Sequence, residues 1–309
     1  MNKRPPLKTW STPAVDEEKA LVPCAICGGN LFDDALECEG FSYVRCAGCG
    51  LVQMNPQPLP ARVRRRYGGQ NGFDNGGFGE EYLSYELSHE KPFLALQLLA
   101  LEDAGFWDFE KALKNRLTLS GGKAAVRKMR VLDAGCATGA LLGELQKSGW
   151  ECSGCELSIP QAKYAREKRG LDVRPFPLEA CRYPESYFDA VLASHLIEHL
   201  NDPASFVREV YRILSPGGVF IVTTPNIDGF QARLFKSRWR SAIFDHLYLF
   251  SVKTLKALLE RNNFIIEKIV TWGGLAAGTA PALIKRAADK SVKLFGAGDV
   301  MLFRVYRTN

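Results

Sequence analysis

The chain has 309 residues, of which 46% are hydrophobic and 24% charged, so it can bury one large core and a smaller appendage. Its longest apolar runs are far shorter than the ~20 residues that a membrane-spanning helix needs, and its first residues, MNKRPPLKTWSTP, lack the apolar stretch of a signal peptide. The net charge of +6 is not gathered into one dense basic face, which disfavours nucleic acid as the partner. We therefore expect a cytoplasmic protein without a membrane span.

The first predicted elements are a flexible tail and a metal site. Residues 1–20 are rich in proline and lysine and show no hydrophobic periodicity, which favours a flexible tail. Two C-x-x-C pairs follow, formed by Cys24, Cys27, Cys46 and Cys49. Pairs at this separation let four thiolates converge on one Zn²⁺, and Gly50 gives the backbone freedom to turn toward the metal. The pattern predicts a zinc ribbon over 21–66, and the alternative is four buried thiols without a metal.

A connecting region separates the ribbon from the main domain. Residues 67–79 are rich in glycine, and the residues after them have a largely helical pattern that Pro92 is expected to interrupt. We assign residues 67–128 to a helical cap or linker. The main domain is predicted over 129–309.

From residue 129 onward, short strands alternate with amphipathic helices, one of which begins at the predicted N-cap Asp202. This alternation predicts a parallel sheet with helices on both faces. A helix, a strand, a helical stretch over 282–295 and a last strand are expected to follow. Cys152 and Cys155 form a third C-x-x-C pair. Because positions three apart on a strand face opposite sides, we expect these two thiols to pack in the core.

Residues 131–142, VLDAGCATGALL, form the first strand-to-helix turn of this domain, which is the usual ligand cradle of an open α/β sheet. A dinucleotide site has the pattern GxGxxG, whereas here Gly135 and Gly139 stand behind Asp133. A carboxylate at that position would repel a pyrophosphate and attract ammonium and sulfonium charge. Glu156 ends the second strand, where a carboxylate can accept hydrogen bonds from both ribose hydroxyls. These residues favour S-adenosylmethionine, and the alternative is that both glycines only shape the turn.

Three motifs, VLDAGCATG, FDAVLASHLIEHLNDP and LSPGGVFIVTTPN, with Glu156 between the first two, resemble those of the class I S-adenosylmethionine-dependent methyltransferases. The segment with CAICGG and CAGCGLVQMNPQP resembles the zinc ribbon ahead of such domains, including those of sugar methyltransferases in bacterial polysaccharide and antibiotic pathways. The resemblance implies an α/β fold with a Rossmann-like, doubly wound, seven-stranded methyltransferase sheet and a small N-terminal zinc ribbon. It also implies S-adenosylmethionine as cofactor and a structural Zn²⁺.

The resemblance further implies roles for individual residues in holding the cofactor. The implied contacts are Asp133, Gly135 and Gly139 at the methionine end, Glu156 at the ribose, Leu157, Leu178 and Glu179 at the adenine, and Ser194 at the methionine moiety. The segment FPLEA departs from the family, because it has no aspartate to meet the adenine amine. The Leu178 backbone and Glu179 are the substitutes that this segment offers.

Methyl transfer is an in-line displacement, so alignment supplies most of the acceleration and a base is needed only if the acceptor keeps its proton. His246 lies in IFDHLYLFS, which resembles the acid-histidine segment that sugar C-methyltransferases use in proton removal. We predict His246 as the general base, with Asp245 orienting its imidazole and raising its basicity. His195, just beyond the fourth strand, is a second catalytic candidate. The alternatives are loop anchoring for His246 and capping or packing for His195, and His89 and His199 are expected to be structural.

The predicted activity is transfer of a methyl group from S-adenosylmethionine to a small hydroxylated acceptor, a sugar or a related metabolite, with O-methylation favoured. Related sugar C-methyltransferases usually continue into a further domain, whereas this chain ends at a last strand, so C-methylation of a nucleotide sugar is the alternative. An RNA methyltransferase and a non-catalytic zinc-ribbon binding protein are further alternatives. Against RNA, residues 28–45 between the knuckles carry four acidic residues and one arginine. The sequence sets no expectation for the oligomeric state.

Overall fold

The computed structural model of the chain describes residues 19–67, 78–120, 127–273 and 297–308. Within these ranges the strands are β1 (Lys19–Ala20), β2 (Phe32–Cys38), β3 (Phe41–Cys46), β4 (Val52–Met54), β5 (Gln57–Pro58), β6 (Arg130–Ala134), β7 (Glu151–Cys155), β8 (Asp172–Arg174), β9 (Phe188–Ser194), β10 (Leu214–Pro225), β11 (Tyr248–Leu249), β12 (Phe264–Trp272) and β13 (Val300–Arg307). The predicted flexible tail up to residue 18, residues 68–77 of the glycine-rich stretch and the helix predicted over 282–295 lie outside the described residues.

Helices cover both faces of the main sheet, as the alternating pattern predicts. They are α1 (Pro60–Tyr67), α2 (Phe78–Ala104), α3 (Phe106–Ser120), α4 (Ala140–Lys147), α5 (Ile159–Arg169), α6 (Pro203–Ile213), α7 (Phe230–Phe235) and α8 (Val252–Arg261). The Asp202 carboxylate accepts a hydrogen bond from Ser205 N at 2.9 Å, which confirms it as the N-cap of α6. Among the described helices, none is long and apolar enough to cross a membrane.

The main sheet has seven strands in the order β12-β13-β10-β9-β6-β7-β8, which confirms the predicted strand number and α/β class. Strands β6 to β10 run parallel, but β13 runs antiparallel to both β10 and β12. The parallel arrangement predicted for the alternating strands is confirmed over β6 to β10, and the last strand, whose direction the sequence analysis left open, is reversed. The apolar pattern of a strand buried on both faces is the same in either direction, so it did not encode this reversal.

The sheet separates two hydrophobic clusters, and the third cysteine pair shows the separation directly. Cys152 packs with side chains of α2 to α5 on one face. Cys155 packs with side chains of α6, α8 and the ribbon on the other face. The prediction that these two thiols face opposite sides and pack in the core is confirmed.

Helix α2 continues through Pro92, so the expected interruption there is wrong. A proline in a helix interior costs about 3 kcal/mol. Pro92 lies on the exposed face, whereas Leu101 and Ala104 of the same helix are 3% and 0% exposed in the core. Burial of one leucine contributes about 1.5–3 kcal/mol, so the packing of α2 on the sheet offsets the proline.

The ribbon forms a four-stranded sheet in the order β11-β4-β3-β2. Its edge strand β11 belongs to a much later part of the chain than the other three strands. Met54 N donates to Leu247 O at 2.8 Å beside this pairing. The buried Tyr43 hydroxyl lies 2.8 Å from both Ile243 O and His246 O. These contacts attach the segment around residues 243–249 to the ribbon.

We predict that Tyr43→Phe lowers the free energy of unfolding by about 1–3 kcal/mol, because two buried carbonyl oxygens would lose their donor. Urea unfolding measures the change. The matched control is Tyr187→Phe, whose hydroxyl contacts Glu151 Oε1 at 3.2 Å near the surface. An effect at Tyr43 no larger than that at Tyr187 would contradict the attachment that we describe.

Candidate active site

The turn after β6 is tied to the end of β7 by its own backbone. Gly135 N and Cys136 N donate to Cys155 O at 2.8 and 3.2 Å, and Gly139 N donates to Cys136 O at 2.8 Å. Gly135 and Gly139 have φ of 72° and 76°, the left-handed region that favours glycine. A Cβ at Gly139 would lie 2.5 Å from a Leu171 methyl carbon, so this glycine also permits close packing.

Glu156 completes this arrangement from the end of β7. Its Oε2 accepts a hydrogen bond from Ala137 N at 3.0 Å, and its Oε1 accepts one from Ser158 N at 2.7 Å. The N–H groups of Gly135, Ala137 and Gly139 are therefore all engaged inside the protein. A phosphate cradle needs such groups free to donate to the ligand, so this turn is not built as one.

Asp133, at the end of β6, is buried without compensation. Its side chain is 1% exposed, and neither carboxyl oxygen has a hydrogen-bond partner among the described residues. Burial, and then the charge of Glu156, raises the pKa of Asp133 to about 8. A carboxyl group in this state favours a ligand that brings a donor and a positive charge.

A cavity that is open to solvent lies at the carboxyl ends of the central strands. Its polar lining includes Gln97, Asp133, Ser194 and Thr223. The Ser194 and Thr223 hydroxyl oxygens lie 3.1 Å apart, so neighbouring strands present a hydroxyl pair beside the carboxyl group. The structure thus brings Asp133 and Ser194 together, as the sequence predicts.

The three residues predicted at the adenine differ in exposure. Leu157 is half-buried and Glu179 is exposed. Leu178 is 2% exposed and packs in the core, so only its backbone is left for a ligand.

Four side chains gather beyond β9 and are called here the histidine cluster: His195, Glu198, His199 and His246. His246 is 8% exposed, and its Nδ1 lies 2.8 Å from Ser241 O. His199 Nδ1 lies 2.8 Å from Asp245 O. Because a carbonyl oxygen only accepts, both Nδ1 atoms donate, and each neutral ring keeps its lone pair on Nε2. The two ring centroids are 4.7 Å apart.

The expected rise in the basicity of His246 is wrong in this structure. Burial, followed by the charge of His199, lowers the pKa of His246 to about 4. The contact that fixes Nδ1 of His246 comes from the Ser241 carbonyl, and Asp245 contributes its own carbonyl to His199. His246 is therefore neutral near pH 7.

Glu198 is the site residue that sequence reasoning missed. It is 0% exposed, and its Oε2 accepts a hydrogen bond from Thr224 Oγ1 at 2.9 Å. Its Oε1 lies 3.3 Å from His195 Nδ1, and no shorter contact to this oxygen is formed by the residues that the structure describes. His195 itself is half-exposed with φ of 50°, and its N–H donates to Thr223 O at 2.9 Å. The only signal in the sequence was an acid between histidines in SHLIEH.

The four predicted metal-ligating cysteines come together. The sulfur atoms of Cys24 and Cys49 are 3.3 Å apart, those of Cys27 and Cys46 are 3.4 Å apart, and all four lie within 4.8 Å of one another. Gly50 has φ of 83°, and its N–H donates to Cys46 O at 2.9 Å, which closes the second knuckle. Four convergent thiols fit a tetrahedral zinc ion.

A family model described as a methyltransferase domain matches residues 106–269. The chain is similar to the ubiquinone biosynthesis O-methyltransferase of Bradyrhizobium sp. (strain ORS 278), with 33% identity over 136 residues that cover 42% of this chain and 51% of that protein. It is also similar to a probable S-adenosylmethionine-dependent methyltransferase of Mycolicibacterium smegmatis, with 37% identity over 101 residues, or 31% of this chain and 38% of that protein. The chain thus spans about half the length of these curated relatives, or less.

Among solved structures, an S-adenosylmethionine-dependent methyltransferase of Thermotoga maritima is similar, with a TM-score of 0.52 and 21% identity. The match covers 75% of this chain and 96% of that chain. At this identity the likeness concerns the fold, and it agrees with the seven-stranded sheet.

We predict that Asp133→Asn stabilises the free protein increasingly as pH rises from about 4, where an unfolded aspartate ionises, to about 8, the raised pKa of Asp133. Over that window the folded wild type holds a proton that the unfolded chain has lost, so its stability falls by about 1.4 kcal/mol per pH unit at most. Asparagine cannot ionise and avoids this loss. Urea unfolding at several pH values measures the difference.

The control for this prediction is Asp228→Asn at an exposed site. Its difference from wild type at each pH is the reference for the effect of an aspartate-to-asparagine change at the surface. A flat Asp133→Asn difference would show that Asp133 is not held in its protonated form.

Proposed function

The chain belongs to the methyltransferase domain family, and from this premise we propose that it transfers a methyl group from S-adenosylmethionine to a hydroxyl group of a small acceptor. A sugar or a related metabolite is the favoured acceptor class. The observation that carries the proposal is the buried Asp133 carboxyl group, which lines the cavity without a hydrogen-bond partner among the described residues.

The residues around the cavity fit this cofactor. Asp133 would accept hydrogen bonds from the ammonium group, and Ser194 would lie along the methionine moiety. Each Glu156 oxygen accepts one backbone N–H and keeps a lone pair, so the carboxylate would hold the ribose hydroxyls. When bound, S-adenosylmethionine supplies an electrophilic methyl group on a positively charged sulfur.

The engaged N–H groups of the turn also support this choice of cofactor. A dinucleotide would need Gly135, Ala137 and Gly139 to donate to its pyrophosphate, but these groups donate to protein oxygens. The two carboxyl groups nearby would repel the same pyrophosphate. Both features suit a cationic ligand.

The acceptor is placed beside the histidine cluster. His195 follows Ser194, which lines the cavity, and its N–H donates to the carbonyl oxygen of Thr223, so the cluster adjoins the cavity at His195. An acceptor hydroxyl attacks well only as its proton leaves. We propose that the cluster activates this hydroxyl, with His246 at its buried side and His195 at its exposed side.

O-methylation is favoured over C-methylation by the chemistry named in the relatives. One of the curated relatives is an O-methyltransferase of ubiquinone biosynthesis, with 51% of its length matched. Because only about half of that protein is matched, its substrate is not carried over to this chain.

We also propose that the ribbon cysteines hold a structural zinc ion. Its four sulfur ligands would leave no open position, so the ion would stabilise the ribbon without taking part in the reaction. The ribbon sheet in turn supports the segment that carries His246.

The cofactor proposal is tested with S-adenosylhomocysteine, the demethylated product. We predict that Glu156→Ala weakens its binding by about 1.5–3 kcal/mol, the usual value for hydrogen bonds to a charged group. Calorimetric titration measures the loss. The control is Glu167→Ala on the exposed face of α5, and equal affinities of the two variants would refute the ribose contact.

The zinc proposal is tested with cobalt as a spectroscopic substitute. Cobalt-loaded wild-type protein should show thiolate-to-cobalt charge-transfer absorption, because four sulfur ligands surround the ion. Cys46→Ser should lose much of this absorption and unfold more readily, since metal binding supplies folding free energy. Cys152→Ser, at a thiol that packs in the core, should keep the absorption, and its loss there would contradict the assignment.

A further inference from the structure

We propose that Glu198, His199 and His246 bind a divalent transition-metal ion, with zinc as the best fit, in addition to the zinc of the ribbon. The inference rests on the proposed function in one respect, since it places this ion where the acceptor hydroxyl is activated. It specifies how the histidine cluster acts: His246 holds the metal and does not itself remove the proton.

The geometry of the three ligands carries the proposal. One carboxylate oxygen of Glu198 and one ring nitrogen each of His199 and His246 lie within 4.8 Å of one another. At metal-ligand distances of about 2.0–2.2 Å, tetrahedral ligand atoms stand about 3.3–3.6 Å apart, so the three atoms need to close in by about 1 Å at most to share one ion. Two imidazoles and one carboxylate form the ligand set of catalytic zinc sites, which keep a further position open.

The surroundings prepare both histidines as ligands. Their Nδ1 atoms donate to the carbonyl oxygens of Ser241 and Asp245, which leaves Nε2 as the ligating atom of each ring. Metal-bound histidines usually donate their other ring N–H in this way, because the contact fixes the tautomer and the orientation of the ring. These Nδ1 contacts are the ones that metal-binding histidines make. The same contacts also anchor the loop that carries His246.

Glu198 provides a second, independent observation. It is 0% exposed, its Oε2 accepts from Thr224, and the contact of its Oε1 with the His195 imidazole is long, at 3.3 Å. A buried carboxylate costs free energy unless positive charge meets it, and this long contact leaves Oε1 able to take a cation. The exposed side chain of His195, 3.3 Å from that oxygen, lies at the solvent side of the same group.

The ligand set selects the kind of ion. Imidazole nitrogen suits zinc, iron, nickel and copper, whereas magnesium and calcium prefer a shell of oxygen atoms. A zinc ion here would be distinct from the ribbon metal, because the two sites have different donor atoms.

The position beside the cavity gives the ion a chemical task. An acceptor hydroxyl bound at the open position would lose its proton more readily, because the ion stabilises the resulting alkoxide. The O–H bond breaks and the proton passes to water. The alkoxide oxygen then forms a bond to the methyl carbon, and the electron pair of the broken S–C bond stays on sulfur.

The experiment counts metal ions in the full chain. Wild-type protein is stripped with a chelator, loaded with zinc chloride, passed through a desalting column and analysed for zinc by mass spectrometry. The expected content is two zinc ions per chain. Content of one per chain in wild-type protein overturns the proposal.

The decisive variant is His246→Asn. Asparagine can keep the donor to the Ser241 carbonyl while removing the Nε2 ligand, so the fold around the segment is retained. We expect His246→Asn to hold one zinc per chain, and His199→Asn to do the same. The control His89→Asn, on an exposed face of α2, should hold two, and two ions retained in both cluster variants would also overturn the proposal.

Two further measurements separate this inference from its premise. Cobalt loaded into His246→Asn should keep its full thiolate charge-transfer absorption, which shows that the lost ion was not the ribbon ion. Binding of S-adenosylhomocysteine to His246→Asn should match that of wild type. If wild-type protein fails to bind S-adenosylhomocysteine while the zinc count stays at two, the proposed function fails and the metal site stands.

Discussion

Asp133 lies at the end of the central strand β6 with both carboxyl oxygens buried and no described partner for either. Burying a carboxyl group without a hydrogen bond lowers the stability of the protein. A cationic ligand that donates hydrogen bonds to this group would remove that loss. The turn that follows directs its N–H groups inward, to Cys155 and Glu156. Glu156 is held at the end of β7 by the N–H groups of Ala137 and Ser158. The Asp133 carboxyl group lines the cavity and favours a cationic ligand there. The turn that follows it has no free N–H groups for an anionic ligand, so both features favour the same kind of cofactor.

The second half of the site depends on a contact between distant parts of the chain. Strand β11 pairs with β4 of the ribbon, and the Tyr43 hydroxyl meets the carbonyl of His246. The segment that carries His246 therefore lies between the ribbon and the carboxyl ends of the main sheet. The ribbon thus holds the segment that carries His246 in place.

Features that depend on neighbouring residues could be predicted from the sequence. The cysteine knuckles, the seven strands, the N-cap at Asp202 and the opposite facing of Cys152 and Cys155 all follow from spacing and periodicity. The resemblance to the methyltransferases implied one site for Asp133 and Ser194, and both line the cavity because parallel strands end at the same edge of a sheet.

Features that depend on contacts between distant residues could not be predicted. The direction of β13 and the pairing of Tyr248 with Gln53 leave no local pattern. Glu198 has the appearance of an ordinary helical acid until Thr224, 26 residues away, is seen to bond it. The low pKa of His246 follows from burial, which the polar neighbours in its own segment do not reveal.

The central claim is that Asp133 receives the positive charge of an S-adenosylmethionine-type ligand, and proton release on binding tests it most directly. S-adenosylhomocysteine is titrated at pH 7 in two buffers that differ in ionisation enthalpy. Because the pKa of free Asp133 is about 8, the group is mostly protonated at pH 7, and an ammonium beside it must lower that pKa and expel the proton. The account predicts release of nearly one proton per ligand bound, absent in Asp133→Asn. Binding without proton release, or no binding at all, would contradict it.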